Sequence, residues 1–289
     1  MEPVVEAAPA KVNLALHVTG RRADGYHELD TLVAFADIGD ELSAVPAATD
    51  RLTIDGPFAE GLPNGPGNLV LRAVSAFRAR WPDAIATGLT LKLTKILPVA
   101  AGLGGGSADA AAALRLLAGM ARHPIPPAEL AALAVELGAD VPMCLASRPA
   151  RVRGIGERIE PLSGFPTAHL VLANPLVPVL TADVFRRLQA RDNPGLPDLP
   201  EPLARPAQLG IYLSETRNDL EAAAVELVPA IGALTRALGK APGCVLARMS
   251  GSGASVFGLF GSSAQAHQAA HDLRAQWPGY WVAAAPLVG

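Results

Sequence analysis

The chain has 289 residues and a formal charge of −3, with half its residues apolar and only 4% aromatic. That length exceeds one ordinary core and predicts two domains, and the alanine-heavy composition suits an α+β or α/β protein. The mild acidity provides no basic field for a nucleic-acid backbone, so nucleic acid is not an expected partner. Cys144 and Cys244 lack CxxC spacing and any disulfide framework. The acidic N-terminus lacks a signal-peptide pattern, and no apolar run reaches the roughly 18 residues of a membrane span. A cytoplasmic protein with no membrane partner is expected.

Residues 4 to 19 alternate as a strand, and its period of two places Lys11, Asn13 and His17 on one face. The turn Arg21 to Gly25 leads into Tyr26-His27-Glu28. Apolar runs at 29–36, 41–45 and 51–54 then read as short strands of a β-meander. A loop from Gly56 to Asn68 precedes a helix over Leu69 to Trp81, and Leu89 to Leu97 alternates as another strand.

That strand runs into Pro98-Val-Ala-Ala-Gly102-Leu-Gly104-Gly105-Gly106-Ser107-Ala108-Asp109. Glycines let backbone N–H groups turn toward an anion, and a helix predicted over about 107–119, with Ser107 as N-cap, would add its positive end. The loop has neither the Lys of GxxxxGK[ST] nor the third glycine of GxGxxG, which argues against a P-loop or dinucleotide site. By itself it reads equally as a tight turn between strand and helix.

Pro126-Pro127 opens a helix ending at Gly138 as C-cap, followed by Ala139-Asp140-Val141-Pro142. Arg151 to Glu157 is hairpin-like, and the domain boundary is placed near 163, giving domains 1–163 and 164–289. Beyond it lie a strand at His169 to Pro175 and a Pro-rich segment at 192–206, read as mobile. A helix over about 217–239, two strands flanking Ser250-Gly-Ser-Gly253 and a last helix over about 263–276 complete the chain. His267 and His271 lie at i, i+4 but have no third ligand nearby, and read as a solvated helix face.

Taken singly, Lys11 reads as a solvated strand lysine, Asp140 as a polar turn residue and Asn13 as an exposed polar residue. Tyr26 and His27 could equally be a turn aromatic beside a solvated histidine, and Phe185 a core ring. Ser250 to Gly253 fits a plain hairpin turn. Together, a lysine, a carboxylate and a glycine cradle are the types that phosphoryl transfer needs: a proton acceptor for the attacking hydroxyl and cations for the transferring group.

Pro9-Ala-Lys11-Val-Asn13, Arg22-Ala-Asp24-Gly25-Tyr26-His27, Pro98 to Ala108, Leu137-Gly-Ala-Asp140-Val-Pro142 and Ser250-Gly-Ser-Gly253-Ala, in this order, resemble the GHMP kinase superfamily. The resemblance implies a two-domain α+β GHMP kinase fold, with a smaller C-terminal α/β sandwich and the active site in the cleft between domains. It implies transfer of the ATP γ-phosphate, with Mg2+, to the 2-hydroxyl of a cytidine-diphosphate-linked methylerythritol. Asp140 would act as base and Lys11 as its electrostatic partner. Pro98, Val99, Ala100, Ala101, Gly102, Leu103, Gly104, Gly105, Gly106, Ser107 and Ala108 would bind ATP, and Ser107 is the candidate for Mg2+. Asn13, Tyr26, His27, Thr181, Phe185, Gly251 and Gly253 would bind substrate. Two departures from the family pattern are Ala100, where Gly is usual, and Ala108, where a second Ser is common.

Overall fold

Two long strands, β1 (Val4–Arg21) and β2 (His27–Ala47), each buried on both faces through a central run, pair with each other. The computed structural model describes residues 2–200, 203 and 205–288. β2 fuses the runs expected at 29–36 and 41–45. Between those runs the chain stays extended, and the Asp40 carboxylate accepts from the backbone N–H groups of Ile96 and Leu97 at 2.6 and 2.9 Å.

Two compact units interleave along the chain. The first is built from Gly39–Val99, Gly104–Ala146 and the chain up to Ala10; the second from Lys11–Ile38, Ala100–Leu103 and the chain from Ser147 onward. This differs from the single cut expected at 163, because β1, β2 and the glycine loop each contribute residues to both units.

In the first unit, β3 (Arg51–Asp55) runs parallel to β4 (Gly88–Thr94), with Leu52 opposite Leu91, and β4 runs antiparallel to β2, with Leu42 opposite Leu93. The expected meander is therefore corrected to a mixed sheet: the helix between β3 and β4 carries the chain back across, and a crossover makes neighbours parallel. That helix is α1 (Leu69–Arg80), capped by Asn68, whose side chain accepts from Val70 N–H. It buries Val70, Ala73, Val74 and Phe77 at helical spacing. α2 (Gly105–Met120), α3 (Pro127–Leu137) and α4 (Val141–Ala146) complete the unit, with α2 packed on α1 and α4. Gly138 is the C-cap of α3, as expected, in extended backbone at φ 162°.

In the second unit, β5 (Ala150–Gly154) and β6 (Arg158–Pro161) form the expected hairpin, and β5 pairs with β2. β7 (His169–Asn174), α5 (Thr181–Arg187), α6 (Pro206–Ser214), α7 (Glu221–Leu227), α8 (Pro229–Gly239), β8 (Cys244–Met249), β9 (Val256–Phe260), α9 (Ser263–Gln276) and β10 (Trp281–Val288) follow. The strand order is β2-β10-β7-β9-β8, antiparallel throughout. α8 and α9 bury Ile231, Leu234, Leu238, Ala270 and Leu273 with Val171, Val256 and Phe260.

The helix expected over 217–239 is corrected to α7 and α8. Pro229 has no N–H to continue a helix and instead opens a new one at its first position. The Pro-rich segment is also tied down over its first part. The Pro194 carbonyl accepts from Arg217 and His17, and Leu196 N–H donates to Asp30 at 2.9 Å. The buried Arg151–Asp30 pair, at 2.7 Å, also reaches the carbonyls of Leu196 and Pro197. Of the 192–206 stretch, Glu201, Pro202 and Ala204 lie outside the described residues.

Candidate active site

β1 turns Lys11 and Asn13 to one side, as the period of two requires, and buries both, with Lys11 5% and Asn13 4% exposed. Lys11 Nζ donates to Asn13 Oδ1 at 2.8 Å, and Asn13 Nδ2 donates to Thr31 Oγ1 at 2.8 Å. The solvated reading of either residue is thereby excluded. Further along the face, His17 is a buried latch. Its Nε2 accepts from Arg217 N–H, so the proton sits on Nδ1 toward the Pro194 carbonyl, and burial lowers its pKa.

The turn Ala100–Leu103 of the glycine loop is stitched to the same strand, as Lys11 N–H donates to the Leu103 carbonyl at 2.9 Å. It also interlocks with the Ser250–Gly253 loop. Ser255 N–H donates to the Ala101 carbonyl, and Ser250 Oγ donates to the Gly102 carbonyl. Gly102 has φ 72°, and a Cβ there would lie 2.4 Å from the Ser250 carbonyl oxygen, so both backbone conformation and space demand glycine. Ala100, the departure from the family pattern, has φ 51°, the left-handed region that glycine occupies at little cost.

In the first unit, Gly104 at φ 65° caps α2 and Ser107 lies in its first turn, which corrects the expected role of Ser107 as cap. Ala108 is buried in the same turn, and Gly106 faces open space. Pro98 is buried and Val99 exposed. The N–H groups of this turn have no earlier helical partner and can serve an anion. Asp140 is half-buried immediately before α4, and its carbonyl accepts from Cys144 N–H at 3.1 Å.

Among the remaining predicted residues, His27 stacks on Phe185, with ring centroids 4.6 Å apart and planes 23° apart. The His27 Nε2 is enclosed and hydrogen-bonds to none of the described residues; burial, then Arg21 and Arg191, lowers its pKa. Tyr26 is exposed, and its N–H is held by Asp24. Thr181 Oγ1 and Ser252 Oγ are 2.8 Å apart, which joins the start of α5 to the serine loop. Gly251 and Gly253 have φ 57° and 88°, and a Cβ at Gly251 would lie 3.3 Å from Asn13 Oδ1. Phe185 also packs against the core of its unit, as the core reading of that ring expects.

Sequence reasoning missed a buried cluster beneath the first turn of α2. Lys95 Nζ pairs with Asp40 and, at 2.7 Å, with Asp109, and a Cβ on Gly105 would lie 3.5 Å from the ammonium. The signal was present: Leu89, Leu91, Leu93, Lys95 and Leu97 recur with a period of two, so a lysine takes a core position. Asp109 is the lone acid in an alanine run. Asn218 was missed as well, because no local pattern marks it.

Residues 68–148 match the family model described as the GHMP kinases N terminal domain, and residues 201–279 match that described as GHMP kinases C terminal. The chain is 49% identical over 283 residues to the 4-diphosphocytidyl-2-C-methyl-D-erythritol kinase of Cereibacter sphaeroides (strain ATCC 17025 / ATH 2.4.3), covering 98% of each. It is 50% identical to the enzyme of that name from Rhizobium leguminosarum bv. trifolii (strain WSM2304), covering 99% of this chain and 95% of the other. The crystal structure of a 4-(cytidine 5'-diphospho)-2C-methyl-D-erythritol kinase matches with TM-score 0.80 and 36% identity over 99% of this chain and 100% of that one. A homoserine kinase from Cytophaga hutchinsonii, with TM-score 0.70 and 20% identity, shares the fold.

Proposed function

The chain belongs to the GHMP kinases, in the branch of the 4-diphosphocytidyl-2-C-methyl-D-erythritol kinases, and on that premise we propose how its residues divide the work. It phosphorylates the 2-hydroxyl of 4-diphosphocytidyl-2-C-methyl-D-erythritol from ATP, a step of the non-mevalonate route to isoprenoid precursors. The observation that supports this most is the buried Lys11 ammonium, on a strand whose backbone is bonded to the phosphate-type loop at Leu103. A lysine is costly to bury, and the developing charge of a transferring phosphoryl group is what such an ammonium can offset.

In this reading Asp140 takes the hydroxyl proton, and Lys11 is its electrostatic partner and orients the reacting groups. Asn13 orients the hydroxyl. Pro98 to Ala108 hold ATP, the first turn of α2 offering its N–H groups to the phosphates. Tyr26 and Phe185 provide rings for the cytosine, His27 a hydrogen bond to its edge, and Thr181, Gly251 and Gly253 contacts to phosphate or hydroxyl.

Mg2+ is part of the proposal. Among the described residues no group of three or more His, Cys, Asp or Glu is placed to hold a metal ion. A donor set made chiefly of ATP phosphates, with the Ser107 hydroxyl, is how Mg2+ is usually held at kinase sites. The ion neutralises phosphate charge during transfer. A cytoplasmic location belongs to the same proposal; among the described residues no helix is long and apolar enough to cross a membrane.

The test is ADP release by the purified protein with ATP and Mg2+, offering the cytidyl substrate, mevalonate and homoserine separately. Turnover with the cytidyl substrate alone, reduced at least a hundredfold in Asp140→Asn, is expected. Turnover with another alcohol discards the cytidine pocket, and an active Asp140→Asn discards the base.

A further inference from the structure

One edge of β1 is closed by fragments of loop. Lys11 N–H reaches Leu103 and Asn13 N–H reaches Ser250 Oγ at 3.1 Å. Further on, Leu16 N–H donates to the Arg217 carbonyl, and Asp219 N–H donates back to the Leu16 carbonyl, both at 2.9 Å. Ser250 is the joint between these pieces. Its fully buried hydroxyl accepts from Asn13 and donates to the Gly102 carbonyl at 2.9 Å, coupling the strand to the turn of the glycine loop.

Asn218 holds that joint. Its Nδ2 gives both protons away, to the Met249 carbonyl at 2.8 Å and the Gly251 carbonyl at 2.9 Å, the residues on either side of Ser250. Its Oδ1 accepts from Leu220 N–H at 3.0 Å. An aspartate would turn an acceptor toward two carbonyls, and an alanine would leave both unpaired in a buried place. The donors of both side chains are committed within the protein, so neither has a proton left to offer a substrate.

We infer that Asn218 and Ser250 are positioning residues for phosphoryl transfer, together setting the register of the strand that carries Lys11 and Asn13 against the Gly102 turn of the phosphate loop. The inference rests on the reading of Lys11 and the glycine loop as the transfer site. Transfer depends on sub-ångström placement, and misplacement lowers turnover more than it lowers binding.

Ser250→Ala and Asn218→Ala are assayed at saturating ATP and cytidyl substrate beside wild type, with thermal melts of each. Each variant is expected to lower kcat at least tenfold while KM for either substrate moves less than about threefold. The double variant is expected to lose little more than the worse single one, since both act on one joint. Tyr212→Phe, which removes a hydrogen bond to the Pro197 carbonyl, lowers stability without lowering kcat and controls for general loosening. If an alanine variant fails to fold, Ser250→Cys carries the test, and its expected loss is at least fivefold in kcat. Wild-type kcat in a folded Ser250 or Asn218 variant overturns the inference, as does a fall explained by the unfolded fraction. Inactivity of the wild type with the cytidyl substrate instead overturns the proposed reaction, so the two failures are distinct.

Discussion

Lys95 and Asp109 are paired at 2.7 Å beneath the first turn of α2, and Asp40 competes for the same ammonium. The two carboxylates are not equivalent. Asp40 Oδ1 is held by two backbone N–H groups, whereas Asp109 Oδ1 pairs with none of the described residues. Burial, with Asp40 adding to it and Lys95 opposing it, pushes the Asp109 carboxyl up to about 7. Burial disfavours the Lys95 charge, but the two carboxylates outweigh it and hold its pKa above the usual value.

Asp109 makes its own contribution to the pH dependence of stability. Unfolded, its carboxyl releases the proton near pH 4; folded, it keeps it to about 7, so that contribution falls as pH rises through that window and is level above it. Asp109→Asn removes one titrating group, and its stability relative to wild type should rise by about 1.4 kcal/mol per pH unit between pH 5 and 7. Urea denaturation at pH 5, 6, 7 and 8 measures this; parallel curves for the two proteins would refute it.

Removing the shared cation should be far more costly. Lys95→Met leaves Asp40 and Asp109 buried without their counter-charge, and a loss of about 3–5 kcal/mol is expected at pH 8. Adding Asp40→Asn and Asp109→Asn to that variant should recover part of the loss. Failure of the triple variant to exceed Lys95→Met in denaturation midpoint would show that charge is not the cause.

Ala100 predicts a stabilising change inside the phosphate loop. At φ 51° its Cβ strains the left-handed backbone, so Ala100→Gly should gain about 0.5–1 kcal/mol. Chemical denaturation checks it, and a decrease in stability would mean that the added freedom of the unfolded glycine outweighs the relieved strain.

The His27–Phe185 stack predicts a split between substrates. Phe185→Ala should raise KM for the cytidyl substrate at least tenfold and leave KM for ATP within about twofold. Because the His27 pKa is lowered, the ring is neutral at pH 7 and above, and KM for the cytidyl substrate should be flat there and change only below about 6.5. Equal changes in both KM values would place Phe185 in the core alone.

Strand period and glycine content alone determined that Lys11 and Asn13 share a face, that a glycine loop joins a strand to an alanine helix, and that Ser250 to Gly253 is a turn. These are local properties, set by side-chain alternation and by the few residues that tolerate left-handed backbone. Tertiary structure alone decided which polar residues are buried and what they meet. Lys95 becomes tolerable in a core position only because Asp40 and Asp109 arrive from distant segments. Asn218 acquires a role only because the chain brings Met249 and Gly251 to its amide. Burial makes a polar group costly until a partner is found, and that partner comes from another part of the chain, where no local rule can see it.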